Sequence, residues 1–356
     1  MKMELKTLPL SHPKTKPQDE GKLNFGQIFT DRMFVMEYQA GKGWHSARIE
    51  PYGPFSLDPA SAVLHYAQEI FEGLKAYRHP DGKIALFRPA DNIKRFNCSA
   101  TRMCMPEVDE EFFLSAIKEL VRLEADWVPH NEGTSLYIRP TMIATDPYLG
   151  VKPSDTYLCY VILSPVGAYY KGGFSPVKIW ISDQFVRSAP GGTGEAKTGG
   201  NYAASLRASM EAAAKGFDQV LWLDAVERKY VEEVGSMNIC FYLDGKVITS
   251  PLHGTILDGI TRRAILTLIK DMGIEVEERA LSVEEILEGA RTGRLKEAFG
   301  TGTAAVVSPV GQFTYRDETV SVGDNQVGEL TLKLYETLTG IQYGQRNDPH
   351  GWIELI

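Results

Sequence analysis

The sequence predicts an α+β fold with two domains. The chain has 356 residues, which exceeds the size at which one hydrophobic core usually stops growing, so two domains are expected. Predicted strands and helices come in groups and do not alternate regularly, an order that favours α+β over a doubly wound parallel sheet. Two glycines and a Ser-Pro pair interrupt the pattern near the middle of the chain. We therefore expect a smaller N-terminal domain at 1–171, an interdomain connection at 172–185 and a larger domain at 186–356.

The elements of the first domain follow from runs of β-branched and aromatic residues and from two amphipathic stretches. Residues up to about Gln18 carry prolines and charges, and we expect them to form a loose or draped arm. The second helix opens with acidic residues, which suit a helix N-terminus. Helices are predicted at 91–103 and 109–127, and strands at 33–38, 83–87, 135–143 and 155–163.

The second domain is expected to begin with a glycine-rich segment around Lys197. A helix that Asp258 caps is predicted at 259–271, and Ser282-Val-Glu-Glu285 has the spacing of a capping box for another helix. The last helix is predicted at 327–339. The remaining elements are a helix at 202–215 and strands at 219–223, 230–234, 238–243, 246–249 and 304–307.

Composition and charge exclude several classes of protein. The hydrophobic fraction of 43% and the charged fraction of 24% are typical of soluble globular proteins. A net charge of -8 without a basic block argues against nucleic acid and anionic membrane as partners. No apolar run approaches the length of a membrane span, and the N-terminus lacks the apolar core of a signal peptide. The four cysteines show no metal-binding spacing, so we expect no metal and a reduced, cytoplasmic location.

Lys197 is the most informative residue, because it stands between two glycine clusters in the segment from Pro190 to Tyr202. Residues 191–198 match the phosphate-binding loop of nucleotide hydrolases except at Ala196, and Asp224 ends an apolar strand as a magnesium-binding aspartate does. However, the Cβ of an alanine resists the positive φ of that loop. The two glycines after Lys197 also weaken the helix that should start there. The other alternative is a flexible loop with a solvated lysine.

A lysine in this setting can also form a Schiff base with pyridoxal phosphate, which acts as an electron sink when a carboxylate keeps its ring nitrogen protonated. Glu233, at the end of a predicted strand, is a candidate for that carboxylate, although a strand-end glutamate is more often a solvated surface charge. The amides of Ile260 and Thr261 begin a predicted helix and are suited to bind a phosphate. Arg95 is a candidate for a charged fork on the same phosphate, and residues 300–304 offer a hydroxyl and close backbone.

Together, these residues and their surroundings resemble the branched-chain amino acid aminotransferases of pyridoxal-phosphate fold type IV. The resemblance covers most of the chain, from about residue 24 to 345, in the order of the family. The resembling blocks are Phe25-Gly-Gln-Ile-Phe-Thr-Asp31, Leu64-His-Tyr-Ala-Gln-Glu-Ile-Phe-Glu-Gly73, Leu86-Phe-Arg-Pro89 with Arg95, Ser135-Leu-Tyr-Ile-Arg-Pro140, Pro165-Val-Gly-Ala-Tyr169, Lys197-Thr-Gly-Gly-Asn-Tyr202, Glu233-Val-Gly-Ser-Met-Asn238, Leu257-Asp-Gly-Ile-Thr-Arg262 and Gly302-Thr-Ala304.

The resemblance implies a fold type IV enzyme with pyridoxal 5'-phosphate at the domain interface. Lys197 would form the Schiff base and then serve as the general acid and base. Glu233 would pair with the ring nitrogen, Tyr202 would bind the ring oxygen and Leu257 would pack on the ring face. The phosphate would be held by Arg95, Ile260, Thr261 and Thr303.

The same resemblance implies an exchange of the amino group of leucine, isoleucine or valine with 2-oxoglutarate by a ping-pong mechanism. Arg139 and the hydroxyls of Tyr66 and Tyr137 would accept the carboxylate of the second substrate. In the family, two protomers share an active site through a loop that corresponds to 149–151, so we expect a homodimer. The implied substrate-binding residues are Phe25, Tyr66, Phe71, Tyr137, Arg139, Leu149, Val151, Tyr169, Thr303 and Ala304.

The chain departs from the family pattern at two places. Where some animal members carry a redox-sensitive C-x-x-C, this sequence has Ala305 and Ser308, so thiol regulation is not expected there. Asp258 replaces a common proline, and its charge would weaken phosphate binding or cap the helix. The alternatives are a D-amino acid transaminase or an aminodeoxychorismate-lyase-like enzyme, then a nucleotide hydrolase, and finally a binding protein without a cofactor.

Overall fold

Two β-sheets, one in each of two structural units, organise the part of the chain that the structure describes. The structure is a computed structural model that describes residues 3–167 and 174–356. Within these residues, the first unit comprises 3–167, Ala196–Gly199 and Ile341–Ile356. The second unit comprises 174–195 and Gly200–Gly340.

In the described part of the first unit, the sheet has nine strands in the order β1-β3-β2-β8-β7-β5-β6-β18, with β4 paired to β7. Most neighbours are antiparallel, and β1 is parallel to β3. The helices are α1 Ala62–Tyr66, α2 Pro89–Arg102 and α3 Glu110–Leu123, and short 3-10 helices lie at Glu20–Lys22 and Ala125–Trp127. The strands are β1 Lys6–Thr7, β2 Arg32–Gln39, β3 Gly43–Pro51, β4 Glu69–Phe71, β5 Leu74–Arg78, β6 Ile84–Phe87, β7 Ser135–Ala144, β8 Thr156–Val166 and β18 Ile353–Leu355.

The core of the first unit forms where α2 and α3 cover one face of this sheet. Asp109 caps α3 by accepting the Phe112 N–H at 2.8 Å, as the acidic start of this helix suggests. The fully buried ring of Phe113 lies 5.9 Å from that of Phe34 on β2 and 5.6 Å from that of Phe96 on α2. These aromatic contacts fix the helices on the sheet.

In the second unit, the described strands follow the order β11-β10-β9-β16-β15-β12-β13-β14, with β17 on β16, and a pairing of β11 with β12 closes part of the sheet into a ring. The helices that lie wholly or mainly in this unit are α4 Gly199–Ala203, α5 Leu206–Ala214, α6 Ile260–Asp271, α7 Val283–Arg291 and α8 Glu329–Gln342. The strands are β9 Val177–Ser182, β10 Gln219–Leu223, β11 Val231–Val234, β12 Met237–Leu243, β13 Lys246–Thr249, β14 Val276–Glu278, β15 Leu295–Gly302, β16 Val306–Tyr315 and β17 Glu318–Ser321.

The structure corrects several predicted elements. The expected connection at 172–185 contains β9, because Val-Lys-Ile-Trp-Ile is a β-branched and aromatic run that pairs with β10 and β16. The helix expected at 202–215 is broken after α4, where the Ser205 hydroxyl donates to the Tyr202 carbonyl at 2.7 Å. The strand expected at 304–307 starts only at Val306, because a turn joins β15 to β16.

The N-terminal arm is draped over the first unit. Its strand β1 pairs with β3. Farther along, the Lys14 ammonium donates to the carbonyls of Phe29 and Thr30 at 3.1 and 2.7 Å, and the Lys14 N–H donates to Asp31 at 2.6 Å. These contacts tie the arm to the start of β2.

Candidate active site

Lys197 lies in a short segment of the first unit that runs beside β4. Its N–H donates to Ser99 Oγ at 3.0 Å, and its carbonyl accepts the Phe71 N–H at 3.0 Å. The Thr198 hydroxyl donates to the Glu69 carbonyl at 2.7 Å. Lys197 Nζ lies 4.9 Å from the centroid of the Phe71 ring. The backbone is therefore held in place and the amine lies against an aromatic ring, which argues against a flexible loop with a solvated lysine.

Arg95 forms an ion pair that the sequence did not predict. Its Nε and Nη2 donate to the two carboxylate oxygens of Glu72 at 2.7 and 2.9 Å, and both side chains are buried. Burial opposes ionisation of Glu72, but Arg95, with smaller contributions from Lys197 and Asn92, lowers the pKa of the carboxyl overall. The predicted phosphate ligand is thus fixed by a carboxylate, and its role toward a phosphate stays a prediction.

Arg139 on β7 lies between two aromatic side chains, and its role toward a substrate stays a prediction. Its guanidinium carbon is 4.7 Å from the centroid of the Phe71 ring and 5.2 Å from that of Tyr137. Its Nη2 donates to the Tyr137 hydroxyl at 3.0 Å. Phe25 packs on the same tyrosine, with ring centroids 4.9 Å apart. The structure therefore brings together four of the predicted substrate residues in the first unit.

Space for this arrangement comes from Gly73. A Cβ at this position would overlap the Tyr137 hydroxyl, so the tyrosine reaches Arg139 only because residue 73 is glycine. The glycine belongs to the Phe-Glu-Gly sequence that also supplies Glu72. One tripeptide therefore sets both the Arg95 ion pair and the position of Tyr137.

Tyr66 is placed differently from the prediction that groups it with Arg139. It ends α1, and its hydroxyl donates to the Leu149 carbonyl. Leu149 and Val151 are 61% and 86% exposed, which suits a loop that covers another surface. Tyr66 therefore belongs with this loop in the described chain. Tyr169 lies outside the described residues.

Glu233 in the second unit is buried, so it is not the solvated surface charge that a strand-end glutamate usually is. Its carboxylate accepts the Asn238 Nδ2–H at 3.0 Å and lies 2.7 Å from Arg187 Nη1. Asn238 Nδ2 also donates to the Leu257 carbonyl at 2.9 Å. The strand register places Glu233, Asn238 and Thr301 side by side on β11, β12 and β15. The sequence did not predict Arg187 or the role of Asn238, although Asn238 ends the family-like segment that begins at Glu233.

The first turn of α6 presents the backbone groups that the sequence predicts for phosphate binding. Ile260 and Thr261 are its first two residues and their side chains are buried, so their amides stand at a helix N-terminus, where an anion is favoured. Gly259 is the N-cap. The prediction that Asp258 caps the helix is wrong, because it lies one residue too early and its carboxylate is 3.2 Å from Arg263 Nε.

The other predicted cofactor residues occupy loops and helix starts of the second unit. Leu257 is buried beside Asn238. Thr303 and Ala304 form the turn between β15 and β16 and are half-buried. Tyr202 lies in α4, half-buried. Their roles toward a ligand stay predictions.

The surroundings of Glu233 fit the ring nitrogen of pyridoxal phosphate. A protonated ring nitrogen needs a carboxylate held in dry surroundings, and Glu233 is 2% exposed. Beside it, the buried hydroxyl of Thr301 has no hydrogen-bond partner within 3–167 and 174–356. Across the same residues, no group of three or more His, Cys, Asp or Glu is placed to hold a metal ion. No helix among them is long and apolar enough to cross a membrane.

The environment of Asp224 disfavours the nucleotide-hydrolase alternative. Its carboxylate accepts the backbone N–H groups of residues 226, 227, 229 and 230 at 2.6–3.1 Å. The aspartate therefore organises the turn between β10 and β11. A carboxylate saturated in this way is poorly suited to bind magnesium.

Comparison with known proteins decides between the remaining alternatives. Residues 69–313 match the model of the amino-transferase class IV family. The chain belongs to the class IV aminotransferases. Branched-chain-amino-acid aminotransferase 2 of Bacillus subtilis (strain 168) is 54% identical over 346 residues, which cover 97% of this chain and 95% of that protein.

Solved class IV aminotransferase structures share the fold. The branched-chain amino acid aminotransferase of T.th. with pyridoxamine 5'-phosphate is 30% identical with a TM-score of 0.75, covering 90% of this chain and 97% of that chain. The same enzyme complexed with N-(5'-phosphopyridoxyl)-L-glutamate is 29% identical with a TM-score of 0.72 and the same coverage.

The predicted family, fold type IV architecture and pyridoxal-phosphate cofactor are confirmed. The prediction of a branched-chain-amino-acid aminotransferase is confirmed as well. The nucleotide hydrolase and the binding protein without a cofactor are thereby excluded.

Proposed function

We propose that this aminotransferase exchanges the amino group of L-leucine, L-isoleucine or L-valine with 2-oxoglutarate in two successive half-reactions. The products are the branched-chain 2-oxo acids and L-glutamate. The Bacillus subtilis relative named for branched-chain amino acids supports the first substrate class. The glutamate adduct in the T.th. enzyme supports the second.

The environment of Arg139 carries this proposal. The Phe71 and Tyr137 rings beside it offer apolar surface to an aliphatic side chain. Its buried Nε, which has no hydrogen-bond partner among the described residues, is a donor for a carboxylate. One wall of the first unit therefore suits an aliphatic chain or a side-chain carboxylate.

The remaining roles follow from the position of each residue in its own unit. Bound pyridoxal phosphate supplies the electron sink that stabilises negative charge at the substrate Cα. Lys197 would hold the cofactor and would then, as a neutral amine, accept the substrate Cα proton on Nζ and donate it to the aldehyde carbon of the cofactor. Glu233, held by Arg187 and Asn238, keeps the ring nitrogen protonated. The Ile260 and Thr261 amides hold phosphate oxygens.

Absorption spectroscopy with half-reaction titrations tests the proposal. The purified protein is expected to show a visible band that borohydride bleaches, and Lys197→Ala should lack it. Lys94→Ala, at an exposed position on α2, is the matched control and should keep the band. L-Leucine, L-isoleucine, L-valine and L-glutamate should each deplete it. Depletion by a D-amino acid but by none of these four would contradict the proposal.

We also propose that the working enzyme is a homodimer in which the loop at 149–151, with Tyr66, completes the site of the partner subunit. The exposed apolar side chains of Leu149 and Val151 support this. Mixing inactive Lys197→Ala protomers with inactive Val151→Asp protomers should restore activity, because each mixed dimer has one site free of both changes. Sedimentation of a monomer at assay concentration would contradict the dimer. The cytoplasmic location stays a prediction.

A further inference from the structure

One face of the first-unit sheet carries a glutamate that has no role in the site described above. Pairing of β4 with β7 sets Glu69 opposite Ile143 and Phe71 opposite Thr141. Side chains two residues apart on a strand share a face, so Glu69, Phe71, Thr141 and Arg139 all lie on the same side of the sheet. Along this face, Glu69 is the next side chain beyond Phe71.

The guanidinium of Arg139 and the side chain of Glu69 both neighbour Phe71 on this face. The Arg139 guanidinium carbon lies 4.7 Å from the centroid of the Phe71 ring. On this face, the Phe71 side chain stands between Glu69 and Tyr137. Tyr160 lies opposite Thr141 on β8. Burial is the main cause that raises the pKa of its hydroxyl, and a hydrogen bond with Thr141 lowers it; of the smaller contributions, Glu69 raises this pKa and Arg139 lowers it. The two charges therefore act on one small region.

Glu69 is also held in place by the segment that carries Lys197. Its carbonyl accepts the Thr198 hydroxyl at 2.7 Å, and its side chain accepts the Gly199 N–H. A Cβ at position 199 would overlap the Glu69 carboxylate, so the carboxylate packs directly on this glycine. Burial raises the pKa of Glu69, and the Arg139 charge and the Gly199 N–H offset only part of that effect.

Two substrates make opposite demands on this arrangement. A carboxylate that binds Arg139 neutralises the guanidinium, whereas an aliphatic side chain leaves it without a substrate counter-charge in an apolar pocket. A fixed carboxylate near Arg139 supplies the counter-charge when the substrate is aliphatic. The same carboxylate disfavours binding of a substrate that carries a side-chain carboxylate. Glu69 is half-buried and close enough to lose part of its pKa rise to Arg139, so it is suited to this task.

We propose that Glu69 is a specificity-determining residue, the resident counter-charge of Arg139 that favours aliphatic substrates over dicarboxylates. This inference rests on the proposed function, in which Arg139 receives the side-chain carboxylate. Glu69 acts through Arg139 and does not itself bind the substrate. Its removal is therefore expected to shift affinities in opposite directions for the two substrate classes.

The test measures binding of two unreactive acids, glutarate and 4-methylpentanoate, to the holoenzyme by calorimetry. Glu69→Gln should tighten glutarate binding by about tenfold, which corresponds to an interaction of one pKa unit, and should weaken 4-methylpentanoate binding. Steady-state KM values for 2-oxoglutarate and the leucine-derived 2-oxo acid should move in the same two directions. Glu69→Asp, which keeps the charge, should stay near the wild-type ratio. Glu111→Gln, at an exposed position on α3, should change neither affinity.

The outcomes separate a specificity role from a structural one. Equal weakening of both acids by Glu69→Gln, or an unchanged ratio, would refute the proposal for Glu69. In an Arg139→Gln background, Glu69→Gln should no longer change the ratio, and a persisting effect would also refute it. If the wild-type holoenzyme binds neither acid and converts neither substrate class, the proposed function itself fails.

Discussion

Replacement of Lys75 by methionine is expected to stabilise the protein near neutral pH. Lys75 lies on β5, is 7% exposed and stands opposite Tyr137 in the sheet. Burial lowers the pKa of its ammonium from 10.5 to about 8. At about 1.4 kcal/mol for each pH unit between these values, holding the charge inside costs the folded state about 3 kcal/mol. Methionine has a similar length and no charge, so it removes this cost.

The stability gained by Lys75→Met is expected to decrease as the pH rises. Below pH 8 the folded and unfolded chains both carry the ammonium, so the full cost is present. Between pH 8 and 10.5 the folded chain releases the proton first, and the unfolded state then binds more protons. The free energy of unfolding contributed by Lys75 therefore rises with pH across this interval. The advantage of Lys75→Met should shrink from about 3 kcal/mol at pH 7 to below about 1 kcal/mol at pH 10.5.

Urea unfolding of the holoenzyme at pH 7 and pH 10.5, followed by tryptophan fluorescence at a fixed cofactor concentration, measures this difference. Lys94→Met, at an exposed position on α2, should show little change at either pH. A gain that is equal at both pH values would point to packing, and a loss at pH 7 would show that contacts of the ammonium outweigh its burial. Either result would refute the reasoning. Because Lys75 shares the face of Tyr137, the stabilised variant should also lose activity.

Three further predictions concern a cap, a buried ion pair and the core. Ser282→Ala removes the hydroxyl that accepts the Glu285 N–H at 3.1 Å and should lower the free energy of unfolding by about 1 kcal/mol; no change in the urea midpoint would contradict this. Arg187→Met leaves the buried carboxylate of Glu233 without its guanidinium and should cost about 3–5 kcal/mol, together with faster loss of the visible band on dialysis; unchanged cofactor retention would contradict the positioning role. Phe113→Ala should cost about 3–5 kcal/mol, and a loss below about 1 kcal/mol in thermal or urea unfolding would show that the site refills.

The local signals in the sequence predicted the elements that depend on local chemistry. Asp109 and Ser282 both cap the helices expected after them, because a cap involves only neighbours along the chain. The strand at β9 was missed because its apolar run follows a Gly/Pro interruption that is typical of a linker. Its assignment as a strand requires the pairing with β10 and β16. The residues of one segment alone do not show which strands it pairs with.

The sequence likewise predicted some residues of the candidate site but not the ion pairs that hold them. Lys197 and Glu233 stand in short motifs with a chemical reason for each residue, so they could be named from the sequence. The ion pairs that hold the site could not, because Arg95 and Glu72 are 23 positions apart and Arg187 and Glu233 meet only through the fold. The tertiary fold determines which arginine pairs with a given glutamate. From the sequence alone, several arginines are equally good candidates for that partner.

The two buried ion pairs are better explained by positioning than by stability. A buried pair contributes little net stability, since desolvation offsets most of its attraction. In the first unit, however, Glu72 fixes the guanidinium plane of Arg95 with two hydrogen bonds. In the second, Arg187 and Asn238 hold Glu233, and Asn238 also holds the Leu257 carbonyl. The residue assigned to the ring nitrogen and the residue assigned to the ring face therefore cannot move independently, which is the rigidity that a site for a planar cofactor requires.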